Sequence, residues 1–314
     1  MPKLTDRLDR ITLAEGRKLS APPAPISCKI ELTGRCNFQC SFCATSLGLR
    51  PVGDMSFDFY SKTLLPQLRA AGVTEVGMFF LGESMLLPAL PQFIAEAKLQ
   101  GFEYVFLTTN GSQATPVRVR DCMAAGLDSL KFSLNYADAE QFAQIARVKP
   151  ALFHKMIENI RYAAAIKREH NFKTGLFASY IAYDGEQGEK MRALVDQLRP
   201  DLDEVYALPL YSQADLVGQV NADAGRQVKA GNPGRIGALR PAVPCWSLFS
   251  EARVTWDGHL AACCFDHDKR FEMGDLTTTP FMEAWHSPKF QELRQAHLAE
   301  DVSKTACAGC VAWG

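Results

Sequence analysis

Cys36-Asn37-Phe38-Gln39-Cys40-Ser41-Phe42-Cys43 places three thiols within eight residues, spaced x3 then x2, directly after an alternating apolar segment (Ile26, Cys28, Ile30, Leu32). One tight loop can project such thiols onto three corners of a cubane iron-sulfur cluster and leave the fourth iron without a protein ligand. Clusters that only carry electrons take four thiolates, whereas an iron with a free position can chelate and activate a small molecule. Zinc is the alternative occupant. It usually takes four ligands, commonly from two paired knuckles, and three cysteines on one loop after a strand fit that poorly. Five more cysteines, Cys245, Cys263, Cys264, Cys307 and Cys310, gather near the C-terminus. Cys307-Ala308-Gly309-Cys310 is a two-ligand knuckle of a kind found at zinc and iron-sulfur sites alike, so by itself it says only metal. Cys28 and Cys122 have no partner at ligand spacing and read as buried packing thiols.

The elements that must position these residues are strands alternating with helices. β-branched, aromatic and apolar runs predict strands at 27–33, 76–81, 104–109, 129–135, 176–181 and 204–210. Helical periodicity predicts helices at 57–71, 87–100, 116–125, 154–168 and 186–198, with Gly72, Gly101 and Gly126 where helix C-caps belong. Parallel strands joined by right-handed crossovers curl into a barrel, and six units make an incomplete one, a partial (β/α)6 barrel whose chemistry belongs at the strands' C-terminal ends. The motifs fall there: the cysteine loop after the first strand, Gly82-Glu83 after the second, Thr109-Asn110-Gly111 after the third and Ser133-Leu134-Asn135 at the end of the fourth. Leu4, Leu8, Ile11 and Leu13 make one face of a short leading helix. Residues 212–244 carry Gly, Pro, Ala and Arg without clear periodicity and read as a connecting segment.

The three-cysteine loop, with an aromatic residue before its last cysteine, resembles the signature of the radical S-adenosylmethionine (radical SAM) superfamily. The resemblance implies a [4Fe-4S] cluster whose open iron binds S-adenosylmethionine, with Phe42 near the adenine. Leu81-Gly82-Glu83-Ser84 is similar to the family's Gly-Gly-Glu motif with Leu81 in place of the first glycine, which implies close backbone approach at Gly82 and an amine acceptor in Glu83. Ser133 and Asn135, on one face of an extended segment, resemble residues that reach the ribose hydroxyls or carboxylate. One electron passed into the sulfonium then yields methionine and a 5′-deoxyadenosyl radical, which removes hydrogen from an unactivated carbon.

Pro244-Cys245-Trp246, the turn at Asp257-Gly258, Cys263-Cys264, Met273-Gly274-Asp275-Leu276, Trp285, Phe290 and Leu293-Arg294 resemble the C-terminal extension of SPASM and twitch radical SAM enzymes. The cysteines suffice for one auxiliary [4Fe-4S] cluster, the twitch arrangement, with Cys245, Cys263, Cys307 and Cys310 as the ligands that family spacing implies. Four thiolates on a structural zinc remain the alternative. Adjacent strand residues point to opposite faces, so Cys264 is expected to turn away, as a packing thiol or as a hydrogen donor to a substrate radical. The chain then divides into a helical lead-in (1–24), the radical SAM barrel (25–211), the connecting segment (212–244) and an auxiliary-cluster domain (245–314).

With 47% hydrophobic and 22% charged residues and a net charge of −1, the composition is that of a soluble globular protein with no electrostatic reason to bind nucleic acid or an anionic membrane. The N-terminus lacks the apolar core of a signal peptide, and the protein is expected in the cytoplasm. The layout resembles that of small members acting on sugars and aminocyclitols, of the 2-deoxy-scyllo-inosamine dehydrogenase and neomycin epimerase types. Oxidation or epimerisation of such a substrate is the expectation, with a flavodoxin- or ferredoxin-type reductant as partner. Peptide modification, as in enzymes that mature ribosomal peptides, is the second enzyme reading, and a non-catalytic iron-sulfur electron-transfer or binding protein the reading from another class.

Overall fold

The computed structural model describes residues 3–313; the first two residues of the expected lead-in and the last of the C-terminal domain lie outside the described residues. Six strands form the parallel part of the sheet: β1 (Ser27–Ile30), β2 (Glu75–Gly77), β3 (Tyr104–Thr109), β4 (Ser129–Ser133), β5 (Gly175–Ile181) and β6 (Glu204–Leu208). Each lies beside its successor, as right-handed strand-helix-strand crossovers require. This is the partial barrel expected from the strand pattern. The strand ends are trimmed because the chain bends into the functional loops, although Glu31 N–H still donates to Val254 O at 2.8 Å and Met78 N–H to Phe106 O at 2.8 Å.

The helices that cover the sheet follow the periodic stretches, among them Leu90–Leu99, Pro116–Ala124, Ala151–Glu169 and Gly185–Leu198. Gly72, Gly101 and Gly126 end three helices with φ of +90°, +84° and +98°, where only glycine is unstrained. A further helix, Ala139–Ala146, has no counterpart among the expected elements. It spans eight residues, too few for a clear period, and is held by the Asp138 side chain, which accepts from Gln141 N–H at 2.8 Å, and by buried Phe142 and Ile145.

The leading helix, Leu4–Leu13, closes the barrel floor. Its Thr5 N–H donates to Glu204 at the start of β6 at 3.1 Å, and Arg7 Nε donates to Glu75 at the start of β2 at 2.7 Å. Leu4 and Ile11 are buried as expected, whereas Leu13, at the helix end, is 42% exposed.

The connecting segment contains more structure than its sequence suggests. β7 (Leu210–Tyr211) pairs in parallel with β8 (Val228–Lys229) around a short helix, Gly218–Asp223. Two-residue strands carry no readable alternation. Beyond it, β9 (Glu251–Val254), β10 (His259–Ala261) and β11 (Glu272–Asp275) form an antiparallel meander, with the β9–β10 hairpin turning at Gly258 (φ +89°). β9 also pairs in parallel with β1, from Ser27 opposite Glu251 to Ile30 opposite Val254. One nine-stranded sheet therefore runs from β11 to β6, and the C-terminal elements extend the barrel sheet directly.

Candidate functional site

The unanticipated helix Ala139–Ala146 holds the cysteine loop. Gln39 N–H donates to Ala146 O at 3.0 Å and Ser41 N–H to Ile145 O at 2.9 Å, while Phe38 packs edge-on against Phe142 at 5.3 Å between ring centroids. Tyr136 stands over the loop, its hydroxyl 2.7 Å from Cys40 Sγ and its ring 6.2 Å from that of Phe42, which is buried. Burial pushes the Cys36 and Cys40 thiols up to about 12 and raises Cys43 as well, and in Cys36 and Cys40 the neighbouring loop thiols add to the rise. Thiols in such a setting ionise only when a cation replaces the lost water, as ligated iron does. Three thiols on one short loop are a donor set that suits three corners of an iron cluster.

Glu83 and Thr109-Asn110-Gly111, read separately in the sequence, form one network. The buried Glu83 carboxylate accepts from Thr109 Oγ1 at 2.8 Å, Met85 N–H at 3.0 Å and Asn110 N–H at 2.7 Å. Desolvation raises its pKa against these bonds. Asn110 Nδ2 donates to Asn37 Oδ1 at 2.9 Å, and Asn37 Nδ2 to Ser112 Oγ at 2.9 Å, which ties the cysteine loop to the end of β3. Gly82 is required by the chain itself: a side chain there would collide with the Thr33 carbonyl and come within 2.8 Å of Arg35 O, to which Glu83 N–H donates. Ser133, the last residue of β4, and Asn135, just beyond it, are half-buried on either side of buried Leu134.

At the second site Cys245, Cys263, Cys264, Cys307 and Cys310 line one cavity. Strand alternation does not set the direction of Cys264. β10 ends at Ala261, so Cys263 and Cys264 lie in the turn after it, where alternation no longer operates. Cys264 also borders the barrel lumen, and Asn232 Nδ2 donates to its Sγ at 3.3 Å. Burial raises Cys264, but the hydrogen bond from Cys263 and the positive charge of Arg253 and Lys29 outweigh it and bring the thiol below its ordinary value. Around the other thiols, Gly231 N–H donates to Cys310 Sγ at 3.1 Å and His297 Nε2 lies 3.3 Å from Cys307 Sγ. Burial pushes Cys307 up to about 12 and raises Cys245 and Cys310. Among the described residues no three His, Cys, Asp or Glu side chains converge as ligands of a single ion would. A donor set of thiols gathered on one cavity is of the kind an iron-sulfur cluster takes.

Sequence reasoning missed Asn37, Tyr136, Gln213 and Lys131. The first three act through contacts made only on folding; Lys131 was visible as a charge inside a strand otherwise read as buried.

The radical SAM superfamily matches residues 30–198, and SPASM, an iron-sulfur cluster-binding domain, matches residues 245–311. The first match takes in more than half of the 314 residues, and the chain belongs to the radical SAM superfamily. Its first domain is of the family that binds a [4Fe-4S] cluster and S-adenosylmethionine, and its SPASM domain is of the kind that binds an auxiliary iron-sulfur cluster. The PqqA peptide cyclase of Xanthomonas euvesicatoria pv. vesicatoria (strain 85-10) is 30% identical over 149 residues, 48% of this chain and 38% of that protein. That of Streptomyces rochei is 35% identical over 131 residues, 41% of this chain and 35% of the relative. The chain thus aligns with well under half the length of these relatives. Among solved structures, BtrN in complex with AdoMet and 2-DOIA superposes with a TM-score of 0.58 at 17% identity, over 91% of both chains. Streptococcus suis SuiB bound to precursor peptide SuiA superposes with a TM-score of 0.64 at 13% identity, over 91% of this chain and 70% of SuiB. These likenesses show a shared fold. Among the described residues no helix is long and apolar enough to cross a membrane.

Proposed function

We propose that this radical SAM enzyme oxidises or epimerises a small saccharide-like substrate held in the barrel lumen. The observation that carries the reading is a cavity of about 260 Å³, floored by the helix Leu4–Leu13 and bordered by Cys264 on the side of the second thiol group. That volume suits a small molecule or one residue of a larger one. In this reading Cys36, Cys40 and Cys43 ligate the first cluster, and Cys245, Cys263, Cys307 and Cys310 ligate a single auxiliary cluster of the twitch type. Gly82 and Glu83 set the loop that faces the S-adenosylmethionine amine, Phe42 packs near the adenine, and Ser133 and Asn135 reach its polar groups. When bound and reduced by a flavodoxin- or ferredoxin-type protein, the first cluster supplies the electron for cleavage of S-adenosylmethionine. The chain's own part is to hold the substrate carbon in reach and to keep water out.

Cys264, at the border of both cavities, is the residue that divides the two reactions. As a hydrogen donor it would return a hydrogen atom to the substrate carbon and become a thiyl radical, which one electron from the auxiliary cluster and one proton would restore to the thiol, and the enzyme epimerises. Without that role the substrate radical would lose a proton and pass its electron to the auxiliary cluster, and the enzyme oxidises. Turnover in deuterated solvent tests this. An epimerase incorporates deuterium at the reacting carbon, and Cys264→Ala consumes S-adenosylmethionine without giving product. A two-electron oxidised product formed equally by Cys264→Ala assigns dehydrogenation. A peptide substrate is the second reading, favoured by the relatives named as PqqA peptide cyclases.

A further inference from the structure

We propose that the barrel cavity holds its substrate through an anionic group, a carboxylate or a phosphate, bound by the ammonium of Lys131, so that the saccharide is an acidic one and not an aminocyclitol. This rests on the reading that the cavity is the substrate site.

The charges that line the cavity are Arg7, Asp9, Lys29, Lys131, Arg235 and Glu251. Three of the four cations have carboxylate partners. Arg7 donates to Glu75 at 2.7 Å, Lys29 lies 2.8 Å from Glu251, and Arg235 lies 2.6 Å from Asp9. Glu251 is further engaged by Arg253 at 2.6 Å, so it has little left for another cation. Among the described residues, Lys131 donates only to the Tyr206 hydroxyl, at 3.2 Å, a neutral acceptor. Among the described residues, Lys131 is therefore the cavity-lining Lys or Arg without a carboxylate partner, and it sits on a half-buried side chain.

An ammonium held out of water without a paired carboxylate is unfavourable, and a ligand that supplies the missing charge offsets that cost. Burial accordingly brings the Lys131 ammonium down to about 8, with Arg7 adding to the effect and Glu251 opposing it. Position fits as well. Lys131 and Ser133 are on the same half-buried face of β4, two residues apart, so Lys131 lies about 7 Å deeper along the strand than the residue read as an S-adenosylmethionine contact. Tyr206, having accepted from Lys131, keeps its own proton to donate, and Ser129 and Thr108 bring further hydroxyls to the wall. An aminocyclitol would set a second ammonium against Lys131, Lys29 and Arg7, which such a wall rejects.

The test is binding to the anaerobically reconstituted holoenzyme, by calorimetry, of D-glucuronate, D-glucose 6-phosphate, D-glucose and D-glucosamine. Wild-type protein is expected to bind one of the two acids about tenfold or more tightly than glucose, the worth of one charge-assisted hydrogen bond, and glucosamine more weakly than glucose. Which acid binds identifies carboxylate or phosphate. Lys131→Gln and Lys131→Met, whose iron content and circular dichroism report that they are loaded and folded, are expected to lose that preference. A wild-type protein that holds neither acid more tightly than glucose overturns the proposal, as does a preference that survives in both variants. The contrast among sugars in the wild type tests the proposal even where a variant does not fold. Failure of the wild type to cleave S-adenosylmethionine would contradict the reaction assigned above and leave this binding result to stand or fall alone.

Discussion

Gln213 Oε1 accepts from the backbone N–H of Ala44 at 2.9 Å, while its neighbour Ser212 places Oγ 3.7 Å from Cys310 Sγ. Two consecutive residues of the connecting segment thus touch the two cysteine groups. Gln213, Ala214 and Asp215 all have positive φ, at 51°, 58° and 73°, a backbone cost of order 1 kcal/mol per residue that surrounding contacts must hold in place. Gln213→Leu leaves the N–H of buried Ala44 without an acceptor. Unfolding free energy is expected to fall by about 1–3 kcal/mol in a urea titration, and the paramagnetic spectrum of the first cluster to change. Neither change appearing would make the contact incidental.

Glu83→Gln should do more than weaken S-adenosylmethionine binding. The carboxylate serves three donors from its own chain, and an amide offers only one accepting oxygen, so at least one buried donor loses its partner. A stability loss of about 1–3 kcal/mol is expected together with a weaker cosubstrate affinity. Full stability with reduced affinity would mean that the carboxylate faces the ligand alone.

His267 gives a pH test. Its ring lies 3.2 Å from Thr45 Oγ1 and is buried, and burial, aided by Arg50, brings it down to about 3. The unfolded chain takes up this proton near the ordinary value of 6.5 and the folded one does not. The His267 contribution is therefore fully present above pH 6.5, declines by at most about 1.4 kcal/mol per pH unit as pH falls towards 3, and levels off below. Asp266 next to it is pushed up to about 6 by burial and works in the opposite sense between 3.8 and 6. The quantity to read is the difference between wild type and His267→Asn, which should move in the variant's favour as pH drops from 6.5 to 4. A constant difference across that range would show that the ring protonates in the folded protein as it does in the unfolded chain.

The barrel was legible because its strands are buried on their outer face by helices of regular period, and because glycines mark where those helices stop. Trp285, Phe290 and Arg294, part of the resemblance, prove to be packing: the Arg294 guanidinium stacks 3.6 Å from the Phe290 ring centroid and donates to Trp285 O at 2.7 Å. Hidden from the sequence were features made by contact between distant segments. The pairing of β9 with β1 needs two strands more than two hundred residues apart. Close backbone approach at Gly82 is legible in the sequence, but that the Thr33 and Arg35 carbonyls after β1 are what approach it is not. Cys264 was assigned a direction by strand alternation that ends three residues before it. Lys131 was visible as a residue, but its lack of a carboxylate partner depends on how Lys29, Arg253 and Glu251 pair across the lumen.

The most direct measurement is release of 5′-deoxyadenosine and methionine from S-adenosylmethionine by the anaerobically reconstituted, reduced protein, with iron counted in the same sample. Wild type should release both and carry about eight irons, two [4Fe-4S] clusters per chain. The variant with Cys36, Cys40 and Cys43 replaced by alanine should release neither and retain about half the iron, held at the C-terminal thiols. A fully loaded, reduced wild-type protein that leaves S-adenosylmethionine intact, or a triple variant that still cleaves it, would contradict the account.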